Sequence, residues 1–336
     1  MEKKRLFSGL TSTGRLTLGN YIGSLNNLLK LQENQNNEVV IFIANLHALT
    51  IPITKDQLLR NVKENLKLYL AIGIDPKKSK IYLQSQIEEV NELFYLLSTF
   101  TTIGQLERMT QYKDKATKQT NSTFKIPTGI LLYPILMAAD IILFDPDYVV
   151  VGDDQKQHLE FTRDLILKLN RDYHTNIKLI KSKISKIEEG SRIMALKNPL
   201  QKMSKSDKNP ANTIFLLDDL KIARKKILEA LTDSENKIYY NLKDKAGISN
   251  LLVIYSAIKN ISIKEAENKF KDLNDYRKFK EIVANAVCDL LEKIQNKYFE
   301  YDDNKLQNIL NYNLKYLKDE ANKNLFKIKN QLGLIL

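Results

Sequence analysis

Five residues, Lys202-Met203-Ser204-Lys205-Ser206, place two lysines among small hydroxyl side chains, and the turn formers Asp207, Lys208, Asn209 and Pro210 follow. Two ammonium groups on a loop that can close would neutralise charge building on a departing pyrophosphate. The pattern therefore suits phosphoryl or nucleotidyl transfer. A solvated basic loop is the plainer reading of any Lys/Ser run in a lysine-rich chain. A second candidate lies near the amino terminus, in Phe7-Ser8-Gly9-Leu10-Thr11-Ser12-Thr13-Gly14 and then Thr17-Leu18-Gly19-Asn20-Tyr21. A strand entering a glycine-bearing turn, then a helix beginning near Gly19, would aim backbone N–H groups and a helix dipole at an anion. Gly9 and Gly14 let a ligand approach the backbone, and Asn20 offers an amide to a phosphate oxygen. Taken alone, the segment reads equally well as an ordinary tight turn.

A third constellation joins Tyr133-Pro134-Ile135-Leu136-Met137-Ala138-Ala139-Asp140 to Val149-Val150-Val151-Gly152-Asp153-Asp154-Gln155-Lys156-Gln157-His158. Asp140 interrupts an apolar helix, and a buried lone carboxylate is costly, so it needs a specific partner. That partner is either an arginine or lysine, in a structural ion pair, or one N–H donor on an apolar ligand such as an indole. Tyr133 and Met137 fall on roughly the same helix face as Asp140 and make an apolar wall with one acceptor at its end.

The elements that must position these groups alternate. Residues 4–10 read as a strand, 19–32 as a helix, 39–45 as a buried strand, 55–72 as a helix and 80–84 as a strand. Helical patterns at 89–101 and 103–115 lead to a polar loop at 115–123, an apolar helix at 128–143, a strand at 148–151 and an amphipathic helix at 154–170. This order predicts an α/β fold: a Rossmann-like parallel sheet with helices on both faces, binding ligands beyond the carboxyl ends of its strands. From about residue 218 no strand pattern appears. Helical periods run to the end, including 275–298 and 303–330, which predicts an all-helical C-terminal domain. The polar stretch 201–212 marks the boundary, and there is no internal repeat.

Composition narrows the classes. The chain has 336 residues, 43% hydrophobic and 27% charged, which is globular and sufficient for a sizeable core. Cys288 is the single cysteine, so no disulfide forms within the chain. No Cys/His cluster has zinc-ligand spacing, and no bound metal is expected. Cys288 itself reads as a small buried residue on a helix. The formal charge of +12 is compatible with an RNA partner, although lysines spread thinly along the chain would give the same total. Residues 1–10 are basic but lack the apolar core of a secretory signal. The apolar stretch 130–144 is broken by Pro134 and Asp140 and is too short to span a bilayer. The expectation is a cytoplasmic protein.

The lysine loop matches letter for letter the signature of class I aminoacyl-tRNA synthetases. Thr17-Leu18-Gly19-Asn20 resembles the variant that the tryptophanyl-tRNA synthetase family carries in place of the histidine-bearing first signature of the class. The helix bearing Asp140 resembles that family's tryptophan-binding helix, and the likeness covers nearly the whole chain. The bacterial-type family implies a fold of three parts: a catalytic domain over 1–212, a helical anticodon-binding domain over 213–305, and a C-terminal helix over 306–336 packing back on the first. It implies that Asp140 binds the indole N–H, that Tyr133 and Gln155 hold the α-ammonium group, and that Phe7, Met137, Val149 and Val151 line the ring. Gln111 is placed near tryptophan and Lys115 near the ATP phosphates. The nucleotide would meet Thr11, Ser12, Thr13, Gly19 and Asn20, with Gly152, Asp153 and Asp154 at the ribose and Ile193 at the adenine. Lys202, Met203, Ser204, Lys205 and Ser206 would close over the pyrophosphate, and Lys202, Lys205, Asn20 and Lys115 would be catalytic. The implied partners are L-tryptophan, ATP with Mg²⁺, tRNA(Trp) and a second copy of the chain.

The departures from the family pattern are local. Thr11-Ser12-Thr13-Gly14 stands where Gln-Pro-Ser/Thr-Gly is common, so a proline's rigidity and a long amide are lost. Asn45 replaces a usual aspartate. His47 is either a substrate contact or a satisfied core histidine, His158 packs on its helix, and His174 lies at the surface. A tyrosyl-tRNA synthetase is the nearest rival, but its pocket needs a polar partner for the phenol oxygen, and Met137-Ala138 stands where that family usually has a glutamine. An inactive RNA-binding relative and a small-molecule adenylyltransferase fit less well, since both loop lysines and Asp140 are present and a long helical extension follows.

Overall fold

The computed structural model describes residues 3–113, 127–152, 155–184 and 192–336. Its centre is a parallel five-stranded sheet in the order β3-β2-β1-β4-β5, made of β1 (Lys4–Thr11), β2 (Asn37–Ala44), β3 (Ser79–Leu83), β4 (Tyr148–Val151) and β5 (Lys181–Ile184). The alternation of strand side chains explains why β2 reads Val-Val-Ile-Phe-Ile without a polar break. Val39, Ile41 and Ile43 join one apolar core together with Leu6 and Ile81. Val40 and Phe42 join the other with Phe7 and Tyr82. Both faces are buried, and each large apolar side chain so covered contributes about 1.5–3 kcal/mol.

Helices cover both faces. On the first face lie α1 (Leu18–Asn20), α2 (Asn26–Glu33) and α3 (Lys55–Ile72). On the second are α4 (Glu89–Thr99), α6 (Thr128–Leu143) and α7 (Lys156–Asp172), with α5 (Ile103–Glu107) leading into them. Sequence and structure agree to the residue on α3. Thr54 and Gln57 form a reciprocal capping box at its start, and Gly73, at φ 126°, ends it.

The chain continues through α8 (Leu220–Leu228), α9 (Ala246–Lys259), α10 (Ile263–Phe270), α11 (Tyr276–Phe299), α12 (Asp303–Tyr312) and α13 (Leu314–Gln331). Ile248, Leu251 and Leu252 of α9 share the first apolar core with the sheet, whereas Leu317, Ala321, Leu325 and Ile328 of α13 enter the second. No single described helix is long and apolar enough to cross a membrane.

Four elements differ from expectation. The helix expected over 19–32 contains a π-helical stretch, Tyr21–Leu25, between α1 and α2. The helix expected over 303–330 breaks at Asn313, whose backbone leaves helical geometry and whose side-chain amide donates to the Pro76 carbonyl at 3.3 Å. The helix expected from 103 stops at Glu107 in its α form. Strand β5 was not expected at all. The polar loop expected at 115–123 lies outside the described residues.

Candidate active site

Strand order reverses direction beside β1, with β2 and β3 on one side and β4 and β5 on the other. This is the switch point at which such sheets bind ligands beyond their carboxyl ends. A cavity of about 390 Å³ opens there. Phe7, Thr11, Thr13, Gln111, Tyr133, Met137, Val149, Val151 and Gln155, all expected from the sequence, line it. His47, Thr50, Ile51 and Ile141 line it as well. Its walls are mainly apolar, with a few polar groups at fixed places, as small-molecule sites usually are.

The turn after β1 has no proline but is tied down by hydrogen bonds. The Thr13 N–H donates to Thr11 Oγ1 at 3.2 Å, Ser12 Oγ donates to the Ala44 carbonyl at 2.8 Å, and Tyr69 donates its hydroxyl to the Thr11 carbonyl at 2.8 Å. Asn65 donates to the carbonyl of Gly14, which sits at φ 70°. Ser12 is buried and its hydroxyl committed, so the group it offers a ligand is its backbone. Thr17 and Asn20 cap one another: Asn20 N donates to Thr17 Oγ1, and Asn20 Oδ1 accepts from the Thr17 backbone and hydroxyl at 3.0 Å. The Asn20 amide N–H₂ is its remaining donor.

The lysine loop packs against this turn. Lys205 Nζ donates to the Thr13 carbonyl at 2.9 Å; the side chain is exposed as a whole, but partial desolvation of its amine against the turn pulls it below the ordinary lysine value. Met203 and Ile193 are buried, and a Cβ on Gly19 would sit 3.6 Å from each. A pair of backbone hydrogen bonds, Ala195 N to Gln201 O and Met203 N to Ile193 O, folds the segment into a hairpin-like turn. Thr213 Oγ1 anchors the Ser204 carbonyl at 2.8 Å. Lys202 and Ser206 lie exposed on this loop, and Ser204 Oγ is 3.0 Å from Ser206 Oγ. Asn250, on α9, brackets Met194 with bonds to its N–H and carbonyl. That brace was missed by sequence reasoning, because Asn250 reads as one polar residue in an apolar helical run.

Asp140 is fully buried and does not line the cavity. Gln84 donates to both its oxygens, at 3.0 and 2.8 Å, and His47 Nε2 lies 3.0 Å from Oδ2. Burial raises the pKa of its carboxyl group, opposed in part by His47 and Gln84. Among the described residues neither partner is an arginine or lysine, so the Arg or Lys ion pair left open by the sequence is not what holds Asp140; the basic group beside it is His47. Gln84 also accepts from the Leu46 and His47 N–H groups. A buried glutamine at a strand's carboxyl end was the signal that could have revealed it. Asn45 pairs reciprocally with Ser85, joining the ends of β2 and β3 without charge. His158 is fully buried with Nε2 2.6 Å from the Tyr133 hydroxyl. Gly152, next in the chain to Val151 of the cavity wall, is exposed. Lys115, Asp153 and Asp154 lie outside the described residues.

A tight turn and a lysine loop meeting over the switch point of a parallel sheet, beside an apolar slot, define a nucleotide-binding α/β enzyme. The model of the class I tRNA synthetases (W and Y) matches residues 1–297. The tryptophan–tRNA ligase of Mycoplasmopsis pulmonis is 47% identical over 336 residues, 99% of each chain, and that of Bacillus subtilis 40% over 333 residues, 99% of this chain and 98% of its own. Crystal structures of tryptophanyl-tRNA synthetases superpose over similar spans. That from Mycoplasma pneumoniae gives a TM-score of 0.87 at 35% identity, covering 99% of this chain and 98% of its own. That from Campylobacter jejuni, complexed with ADP and tryptophan, gives 0.81 at 32% identity, covering 98% and 100%. The chain belongs to the class I tRNA synthetases and, within them, to the tryptophanyl-tRNA synthetase family.

Proposed function

We propose that the chain joins L-tryptophan to AMP, releasing pyrophosphate from MgATP, and passes the tryptophan to the 3′ end of tRNA(Trp). The observation that carries this reading is the continuity of the site: an apolar slot shares Thr13 with the anion-facing loop, and the Thr13 carbonyl holds Lys205. Phe7, Met137, Val149 and Val151 take the indole ring, while Tyr133, Gln111 and Gln155 take the ammonium end. Asp140 accepts the indole N–H once the His47 ring, which stands against it here, turns aside.

The tryptophan carboxylate is already ionised at neutral pH, so no general base is needed to make the nucleophile. It attacks the α-phosphate in line. Lys205 exchanges the Thr13 carbonyl for a pyrophosphate oxygen, and Lys202 and Lys115 add charge as the leaving group develops. Thr11, Ser12, Thr13, Gly19 and Asn20 cradle the phosphates. Gly152, Asp153 and Asp154 hold the ribose, and Ile193 meets the adenine. Residues 1–212 carry the chemistry, 213–305 read the anticodon, and 306–336 tie the end of the chain back to the first part.

Two copies form the working unit in the cytoplasm. Leu49, Ile51, Tyr95 and Ile103 are large apolar side chains at the surface, and Leu49 borders a groove with Leu46, Phe94, Leu132 and Leu136; exposed apolar surface of this kind favours a protein partner. ATP–pyrophosphate exchange tests the reaction. Tryptophan supports exchange and tyrosine does not, and Asp140→Ala weakens tryptophan about 10–100-fold with ATP binding kept. Exchange driven by tyrosine would overturn the reading.

A further inference from the structure

Tyr133 has one phenolic hydrogen and, among the described residues, two acceptors within reach. Gln111 Oε1 lies 2.8 Å away and His158 Nε2 2.6 Å away. These partners differ in place. Gln111 lines the cavity beside Tyr133, whereas His158, on α7, is fully buried and is absent from the cavity wall. The ring planes of Tyr133 and His158 meet at 50° with centroids 5.1 Å apart, and the His158 backbone carbonyl is held by Thr162 Oγ1 at 2.8 Å.

The choice of acceptor decides what the cavity can bind. An ammonium group has only donors, so its site must present oxygens with free lone pairs. If the phenolic hydrogen points at Gln111, it takes one of the two lone pairs of Oε1 and stands between the two oxygens that would receive the cation. If it points at His158, both Tyr133 Oη and Gln111 Oε1 face the cavity as acceptors. An imidazole that accepts on Nε2 carries its hydrogen on Nδ1 and is neutral, so it adds no repulsion to a bound cation.

We propose that His158 is a positioning residue that draws the Tyr133 phenolic hydrogen onto its Nε2 and thereby makes Tyr133 and Gln111 a pair of acceptors for the ligand's α-ammonium group. This role rests on the reading that the slot takes tryptophan with its ammonium end at Tyr133. His158 touches no substrate atom, acts through a hydroxyl, and is specific for the charged end of the ligand.

The ligand's own chemistry supplies the test. The chain contains no tryptophan residue, so indole emission comes from the ligand alone, and the shift in its spectrum or anisotropy on binding reports occupancy. L-Tryptophan and tryptamine carry the ammonium group, and indole-3-propionate does not. The role predicts that His158→Leu weakens tryptophan and tryptamine by about tenfold or more and leaves indole-3-propionate within about twofold. His158→Gln, whose amide oxygen reaches the Nε2 position, restores most of the loss. Should the leucine variant not fold, His158→Asn takes its place, because its amide stops short of the phenol; it behaves as His158→Leu is expected to. Equal weakening of all three ligands, or no weakening of any, refutes the positioning role and leaves the tryptophan reading intact. Wild-type protein that binds none of the three refutes that reading and this role together.

Discussion

Asp140 is a carboxylate held away from water by a helix whose other residues are mostly apolar, and Gln84 and His47 supply its partners. Its need for a specific partner was legible in the sequence, because an acid in such a helix cannot stand alone. The partners' identity was not, since Gln84 and His47 come from the ends of two other strands and only the sheet brings them together. The physical consequence is a pH dependence of determined sign. Burial raises the folded-state pKa above that of the unfolded chain, about 3.9. Between those two values the folded protein binds the proton more tightly. The group's contribution to stability is therefore fully present below the unfolded value and is lost as pH rises through the folded one. Asp140→Asn removes that loss. In urea titrations, the difference in stability between the variant and the wild type should shift in the variant's favour as pH rises from about 4 to 8. A difference that stays flat across that range contradicts the assignment.

Elements carried their own signals where the cause was local. The run Val39-Val40-Ile41-Phe42-Ile43 announces a strand buried on both faces, and Thr54, Gln57 and Gly73 fix the two ends of α3. Strand β5 reads Lys-Ser-Lys-Ile, with no apolar run to mark it, and acquires its conformation by pairing with β4. The break at Asn313 is equally silent, because helical periodicity continues on both sides and the partner that receives its amide is Pro76. The lysine loop depends on α9 in a way only packing reveals. Asn250 brackets Met194, and the Leu231 N–H donates to the Leu196 carbonyl at 2.8 Å, so α9 and the chain at Leu231 both brace the segment leading to Lys202. Gly247 opens this contact: a Cβ there would lie 2.0 Å from the Leu231 carbonyl oxygen, a backbone atom. Gly247→Ala must push α9 and Leu231 apart. The expected cost is about 1–3 kcal/mol in urea unfolding, accompanied by a rise in KM for ATP larger than that for tryptophan. Unchanged stability would show that the helix end accommodates the methyl group.

Over the whole molecule, the last helix returns to the first strand at the end of the sheet opposite the site. Arg5 of β1 donates to Glu38 of β2 at 2.8 Å, to the Phe144 carbonyl at 3.0 Å, and to Glu320 of α13. Lys80 of β3 also meets Glu38, and its amine lies 3.7 Å above the Tyr316 ring of α13. Glu38 thus joins three strands to a helix that begins more than 230 residues later, a link invisible to periodicity and spacing. Burial pushes the Glu38 pKa up, but hydrogen bonds and charge from Lys80 and Arg5 outweigh it and hold the group below its usual value. The sign is opposite to that of Asp140: stability from Glu38 is present above the unfolded value, about 4.3, and is lost as pH falls through the folded one. Glu38→Gln should therefore destabilise the protein by about 1–2 kcal/mol at neutral pH. The gap to wild type should close as the wild-type carboxylate takes up its proton in acid. Urea midpoints at neutral pH and near pH 3 measure both halves of the expectation. Because the cluster lies at the amino ends of the strands, away from Thr13 and Lys205, the variant should keep the wild-type rate of pyrophosphate exchange wherever it is folded. A fall in that rate would mean that the C-terminal helix acts on the chemistry rather than on the hold of the chain's end.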